Sequence, residues 1–267
     1  MLNPEKMIIE SVDTAVLLNP DESLMMMMDE LKDVNITNGS EIVYQTGKMG
    51  SRLAGFDRNK TASVSFTNAY LVGGAIEAQT GSDKVVASAD EKLSIPTHDI
   101  MAVKKGTNTA TLTHVPVGSV PGAEVKFVYV LVNGVQGDKL EVGADTAEGV
   151  FTVDAAAKTL TFDPSFAAES DVEIIAFYTY ETDTGVMYQN RGDAFSKKGK
   201  LVLDLVQRDV CDDGKKYHTR MVFPAAKVDG NFDISVGNDP AVHAFKAEAL
   251  QDICSIDKTM WQWYVVE

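Results

Sequence analysis

The sequence predicts an all-β protein: a β-sandwich or partial barrel with one flanking α-helix, plus a second, smaller β-sandwich. Three observations carry this. Alternating or β-branched runs recur along the 267 residues, separated by Gly, Asn, Asp and Pro. One stretch has helical period. A segment over 107–183 has turn-rich borders and a charge of its own, as an inserted domain would.

The first runs expected as strands cover 7–18 and 24–37. Between them Asn19-Pro20-Asp21-Glu22 reads as a type I turn, although the same residues also make a good helix start. The turn is preferred because β runs stand on both sides. Met25 to Met28 are read as core or subunit-contact residues, since thioethers alone suit Cu(I) and no Cys or His lies nearby. Strands over 41–46 and 61–66 follow.

Between these two strands lies a stretch from Thr46 to Lys60. It has three glycines, and Lys48, Arg52, Arg58 and Lys60 stand against Asp57. It reads as a flexible loop, either an ordinary mobile one or a partner-binding arm that meets the acidic surface of another copy. For the arm, the contact residues are Lys48, Arg52, Leu53, Phe56 and Arg58.

The helix is expected over 69–78, capped by Thr67 or Asn68 and closed by Gly81 in the left-handed conformation. Leu71, Val72, Ala75, Ile76 and Gln79 form its apolar face. The Gly73-Gly74 pair costs roughly 1 kcal/mol per glycine relative to Ala, which is tolerable where a sheet packs closely. A further strand is expected over 84–95.

The 107–183 segment holds three basic residues against twelve acidic ones, a net of −9. Its expected strands are 109–115, 123–133, 150–153, 159–162 and 172–181, with 151–162 as a hairpin. The chain then resumes with strands over 200–210, 216–223, 228–236, 244–250 and 261–266. The main domain is therefore discontinuous, 1–106 and 184–267.

Composition excludes several functions. The net charge is −15, so the chain should not hold nucleic acid by neutralising phosphates. No apolar run approaches the ~20 residues that span a bilayer, and no secretory signal pattern opens the chain. Cys211 and Cys254 are expected as free thiols of a reducing compartment. The four histidines (His98, His114, His218 and His243) lie apart from one another and from the cysteines, so no metal site is expected. No P-loop, G-x-S-x-G or H-E-x-x-H occurs, and paired carboxylates such as Asp212-Asp213 are read as solvated surface. A structural or binding protein without catalysis or cofactor is expected.

Several stretches carry a resemblance. They are Asp29-Glu30-Leu31-Lys32-Asp33, Thr46-Gly47-Lys48 through Asp57-Arg58-Asn59-Lys60-Thr61, Thr67-Asn68-Ala69 and Gln79-Thr80-Gly81-Ser82. Two more lie toward the C-terminus, from Val222-Phe223-Pro224 through Gly230-Asn231-Phe232-Asp233-Ile234, and Asp239-Pro240-Ala241-Val242-His243-Ala244-Phe245. Together they resemble major tail tube proteins of tailed bacteriophages from Gram-positive hosts, over most of 7–106 and 185–260.

The resemblance implies hexameric rings whose inner strands close one β-barrel and which stack into the tail tube. Genome DNA transits that lumen without specific binding. It implies a virion location after assembly in the host cytoplasm, with tape measure, terminator and distal tail proteins as partners. It also makes 107–183 an external immunoglobulin-like domain. Lumen-lining candidates are Thr61, Ser63 and Ser65 on one strand, and Asn231, Asp233 and Ser235 on another. A capsid decoration or baseplate hub protein, forming closed oligomers, is the alternative. An extracellular adhesin is a further one, but it calls for a signal peptide.

Overall fold

The computed structural model describes residues 7–210, 215–234, 242–251 and 258–265. In chain order the elements are β1 (Met7–Leu18), β2 (Leu24–Met28), β3 (Leu31–Thr46), β4 (Arg52–Asn68), α1 (Gly73–Thr80), β5 (Val85–Val86) and β6 (Leu93–Val103). Then come β7 (Thr109–Thr111), β8 (Phe127–Val132), β9 (Val135–Val142), β10 (Val150–Asp154), β11 (Thr159–Thr161), β12 (Val172–Thr182) and β13 (Val186–Met187). The last are β14 (Lys198–Asp209), β15 (Lys216–Val228), β16 (His243–Ala249) and β17 (Gln262–Val265). The fold is all-β, with one α-helix among the described residues. The chain divides into two compact units, Met1–Lys84 with Tyr188–Glu267, and Val85–Met187.

The first unit is an antiparallel sheet in the order β2-β1-β14-β15-β16-β4-β3, with β17 also paired to β15. Strict alternation sets its faces. Leu201, Leu203 and Leu205 of β14 point inward with Ala15 and Leu17 of β1, Phe223 of β15, Val64 and Phe66 of β4, and Phe245 of β16. The sheet curls around this core into a nearly closed barrel, bringing β1 near β3. Phe66 and Phe245 are direct cross-strand partners and stack, ring centroids 5.0 Å apart. Met26 and Met28 are buried in the same core, as the sequence predicts for the methionine run. The preferred turn over 19–23 forms, closed by Asn19 N–H donating to Ser23 O at 2.8 Å.

Helix α1 packs its Ala75 and Ala78 on this core. It starts at Gly73 rather than 69. Asn68 is not its cap: its carboxamide accepts from Glu30 N–H and donates to Tyr70 O. Gly81 closes the helix with φ 75°, as expected, its N–H donating to Glu77 O. The described residues hold no contact that ties down 69–72 as helix, and Val72 is extended.

The second unit is a sheet in the order β6-β12-β8-β9-β10-β11-β7, wrapped about its own core of Phe151, Phe162, Leu160, Ile174, Leu112 and Val128. The unit spans more than 107–183. β12 pairs along its whole length with β6, from Val172 opposite Val103 to Thr182 opposite Leu93. The strand expected over 84–95 is therefore two, a short β5 and a long β6 displaced toward the C-terminus. β9 is a strand that the run over 123–133 leaves out. It follows a two-residue turn of Asn133 and Gly134, both with positive φ, 53° and 76°. The hairpin over 151–162 forms as β10 and β11. Where the chain enters and leaves this unit, Val86 lies opposite Val186 and Val85 opposite Met187.

Two further corrections concern the C-terminal half. β15 runs without a break through Pro224 to Val228, merging one expected strand with the start of another. It then ends, because Asp229 turns the chain by accepting from Asn231 N–H at 3.0 Å. Asn231 and Asp233 are therefore outside any strand, contrary to the expectation of a strand over 228–236. Ser235, Cys211 and Cys254, and the expectations attached to them, lie outside the described residues.

Candidate assembly surface

The stretch from Thr46 to Lys60 is not a loop. β3 and β4 are paired from Leu31 opposite Asn68 out to Thr46 opposite Arg52, and only Gly47 to Ser51 form the turn. The three glycines are misleading as a sign of flexibility. Gly47 and Gly50 close the turn, with Gly47 N–H donating to Ser51 O at 2.7 Å and Gly50 at φ 78°. Gly55 lies against the side chains of Ile42 and Tyr44, where a Cβ would come within 3.2 Å of Ile42 Cγ2. Asn59 takes the left-handed conformation, φ 50°, at an irregularity in the ladder and donates to Glu41 Oε2 at 2.7 Å.

The hairpin has two parts. Near the core, Ala62, Val64 and Phe66 are buried and Ile36 packs beside them. Beyond Gly39 and Thr61 burial on the core ceases. Residues 40–46 and 48–61 are exposed, Gly47 half-buried. At 3.3–3.4 Å per residue, the part from Gly39 to Thr46 extends roughly 25 Å. Its surface is apolar as well as charged. Ile42 and Tyr44 lie on one face, and Val43 stands opposite Phe56 on the other. Leu53 is 68% exposed and Met49, at the turn, 99%. The Arg52 guanidinium sits 4.0 Å from the Tyr44 ring centroid, which stiffens the tip.

Lys48, Arg52, Leu53, Phe56 and Arg58 thus all fall on the outer part of this hairpin. Ile42 and Tyr44 on one face and Val43 on the other add exposed apolar side chains to this part of the hairpin, and they are not among the residues expected from sequence. The alternation over 41–46 marks them as strand, but nothing local to it tells which strand is its partner.

Among the lumen candidates, Ser63 and Ser65 alternate with Ala62, Val64 and Phe66, so they face away from the core. Thr61 is exposed at the border of the outer hairpin. Across the sheet Ser63 lies between Thr37 and Glu248, and Ser65 between Asn35 and Lys246. Lys246 is held by Glu248 at 3.3 Å and Asp229 at 3.5 Å. Around Ser63 and Ser65 the sheet offers a hydroxyl, an amide and a lysine held by two carboxylates.

Among the described residues no three or more His, Cys, Asp or Glu side chains stand together to hold a metal ion. His243 is fully buried and structural. Its Nε2 lies 2.6 Å from Gln79 Oε1, while Gln79 Nε2 donates to Ala244 O. Burial holds the imidazole below its usual pKa. No described helix is long and apolar enough to cross a membrane.

No match is found among curated proteins. A family model does match, over residues 7–263, and its description points to a structural tube protein of bacteriophages rather than to an enzyme. The match takes in both units and the hairpin that joins β3 to β4, and the chain belongs to the YomU/Tube protein family.

Proposed function

We propose that this chain is the tail tube subunit of a tailed bacteriophage: copies close into hexameric rings, the rings stack, and genome DNA leaves through the lumen. One observation carries the reading. The outer β3–β4 hairpin displays Ile42, Val43, Tyr44, Leu53 and Phe56 beyond the subunit's own core. Apolar side chains at such density mark a surface that another chain covers. The basic residues beside them suit the acidic surface of a further copy.

Other features agree. Among the described residues β3 ends the path of strands in the first unit, and such an edge invites another strand. A ring of identical subunits joins edges head to tail, and stacking then gives an open-ended tube. The Ser63 and Ser65 pair on β4 suits a lumen that DNA passes without sticking, since the cation beside it, Lys246, is held by Glu248 and Asp229. The Val85–Met187 unit is an external immunoglobulin-like domain in this reading, inserted through the β5–β13 pair.

Mass photometry of purified protein over a concentration series tests the proposal. Species at the mass of a hexamer, giving way to long polymers as concentration rises, are expected. A monomer at every concentration would overturn it.

A further inference from the structure

The second unit carries an aromatic surface outside its own core. On β12 the residues Glu173, Ile175, Phe177 and Thr179 alternate with the buried Ile174, Ala176 and Tyr178, and so face outward. Phe177 lies opposite His98 of β6, and Ile175 lies between Ile100 of β6 and Tyr129 of β8. The rings run on from strand to strand: His98 to Phe177 at 5.9 Å, Phe177 to Phe127 at 6.2 Å and Phe127 to Tyr129 at 5.5 Å. Lys139 of β9 stands 5.1 Å from the Phe127 centroid. None of these rings belongs to the unit's core, and Phe177 is 43% exposed.

The same two phenylalanines line a cleft of about 440 Å³ with Pro96, Val117, Val120 and Glu124. Glu124 gives it a polar end. Its Oε1 accepts from Gly122 N–H at 3.1 Å, but its Oε2 is buried and has no hydrogen-bond partner among the described residues. A buried carboxylate oxygen without a donor is unfavourable, so a ligand that brings a donor gains that interaction.

We propose that this surface binds a neutral glycan, its sugar rings lying on Phe177 and Phe127 and a hydroxyl donating to Glu124. Charge selects this occupant. The Val85–Met187 unit holds six basic and fifteen acidic residues, a net of −9. An anionic polymer, or a second copy of the same acidic face, is repelled. A neutral carbohydrate is not. It supplies both the flat C–H faces that suit exposed rings and the hydroxyl donors that the carboxylate lacks. This inference does not depend on the tube reading, because the surface lies wholly within the second unit.

Isothermal titration calorimetry of the full chain against cellohexaose, chitohexaose and, as the anionic comparison, a hyaluronan hexasaccharide tests it. Binding of at least one neutral oligosaccharide is expected, with hyaluronan bound more weakly. Phe177→Ala and Phe127→Ala should each weaken it roughly tenfold, and Glu124→Gln should weaken it while urea unfolding stays near that of the unaltered chain. The proposal is overturned if neither neutral oligosaccharide binds at millimolar concentration, or if binding survives both aromatic substitutions. It is overturned equally if those substitutions abolish self-association instead, for then the face is covered by another copy.

Discussion

Val43 and Phe56 stand directly opposite each other in the β3–β4 ladder, and both are exposed, 38% and 54%. Cross-strand pairs of this kind stabilise a hairpin by roughly 0.2–1 kcal/mol, far less than burial against a second protein yields. A few such anchors usually dominate an interface. Replacing both with Ser should therefore raise the concentration needed for assembly at least ~10-fold, while circular dichroism and the urea midpoint change little. Adding Arg52→Glu and Arg58→Glu should abolish polymers. Normal tubes from the fourfold variant, in electron micrographs, would show that the hairpin is not the contact.

The second unit should be dispensable for ring formation. Val86 and Val186 are paired, so their Cα atoms lie roughly 5 Å apart, and a short Gly/Ser linker can replace residues 87–185. A cut at 107 and 183 leaves β6 without β12 and should give an insoluble chain. Size-exclusion chromatography of both deletions separates the cases. Loss of rings in the 87–185 deletion would make the unit part of the assembly machinery.

Gly74 tests how closely α1 lies on the sheet. In an exposed helix Gly→Ala gains about 1 kcal/mol. Here a Cβ would meet the Met25 backbone oxygen at 2.5 Å, and the strand cannot yield cheaply. Gly74→Ala should therefore lower stability by about 1–3 kcal/mol. Gly73→Ala meets instead the Tyr188 side chain, which can turn away, and should cost less. Both tryptophans, Trp261 and Trp263, lie in the first unit, so urea unfolding followed by their fluorescence reads the difference. A stabilising Gly74→Ala would mean that α1 rides free of β2.

The fold was legible wherever the determinants are local. The methionine run, the 19–23 turn, the Gly81 cap and the 151–162 hairpin all follow from alternation or turn chemistry within a few residues. What was lost depends on distant partners. β6 is recognisable as one strand only because β12, some 80 residues later, pairs with it. Gly47, Gly50 and Gly55 read as a flexible loop because the next strand is expected only from 61, whereas β4 begins at Arg52, opposite Thr46. At the candidate site the basic residues were visible in sequence, but Ile42, Val43 and Tyr44 joined them only once the register was known. Asn231 and Asp233 show the reverse error, a turn read as strand because β-branched residues flank it.

His243 gives the first unit a pH dependence. Burial lowers its folded pKa, so the unfolded chain binds a proton that the folded chain resists. Its contribution to stability is complete above the ordinary value of about 6.5 and is lost as pH falls below it. The urea midpoint should drop between pH 7.5 and 5.5, and His243→Leu should flatten that drop while lowering stability at pH 7.5, because Gln79 then loses a partner. An unchanged slope in the variant would assign the dependence to other groups.

Cryo-electron microscopy of the purified full chain at high concentration tests the central claim most directly. Tubes of stacked hexameric rings are expected, with the β3–β4 hairpin of each subunit buried against a neighbouring copy through Phe56. Particles that stay monomeric, or closed oligomers in which residues 40–61 remain exposed to solvent, would contradict it.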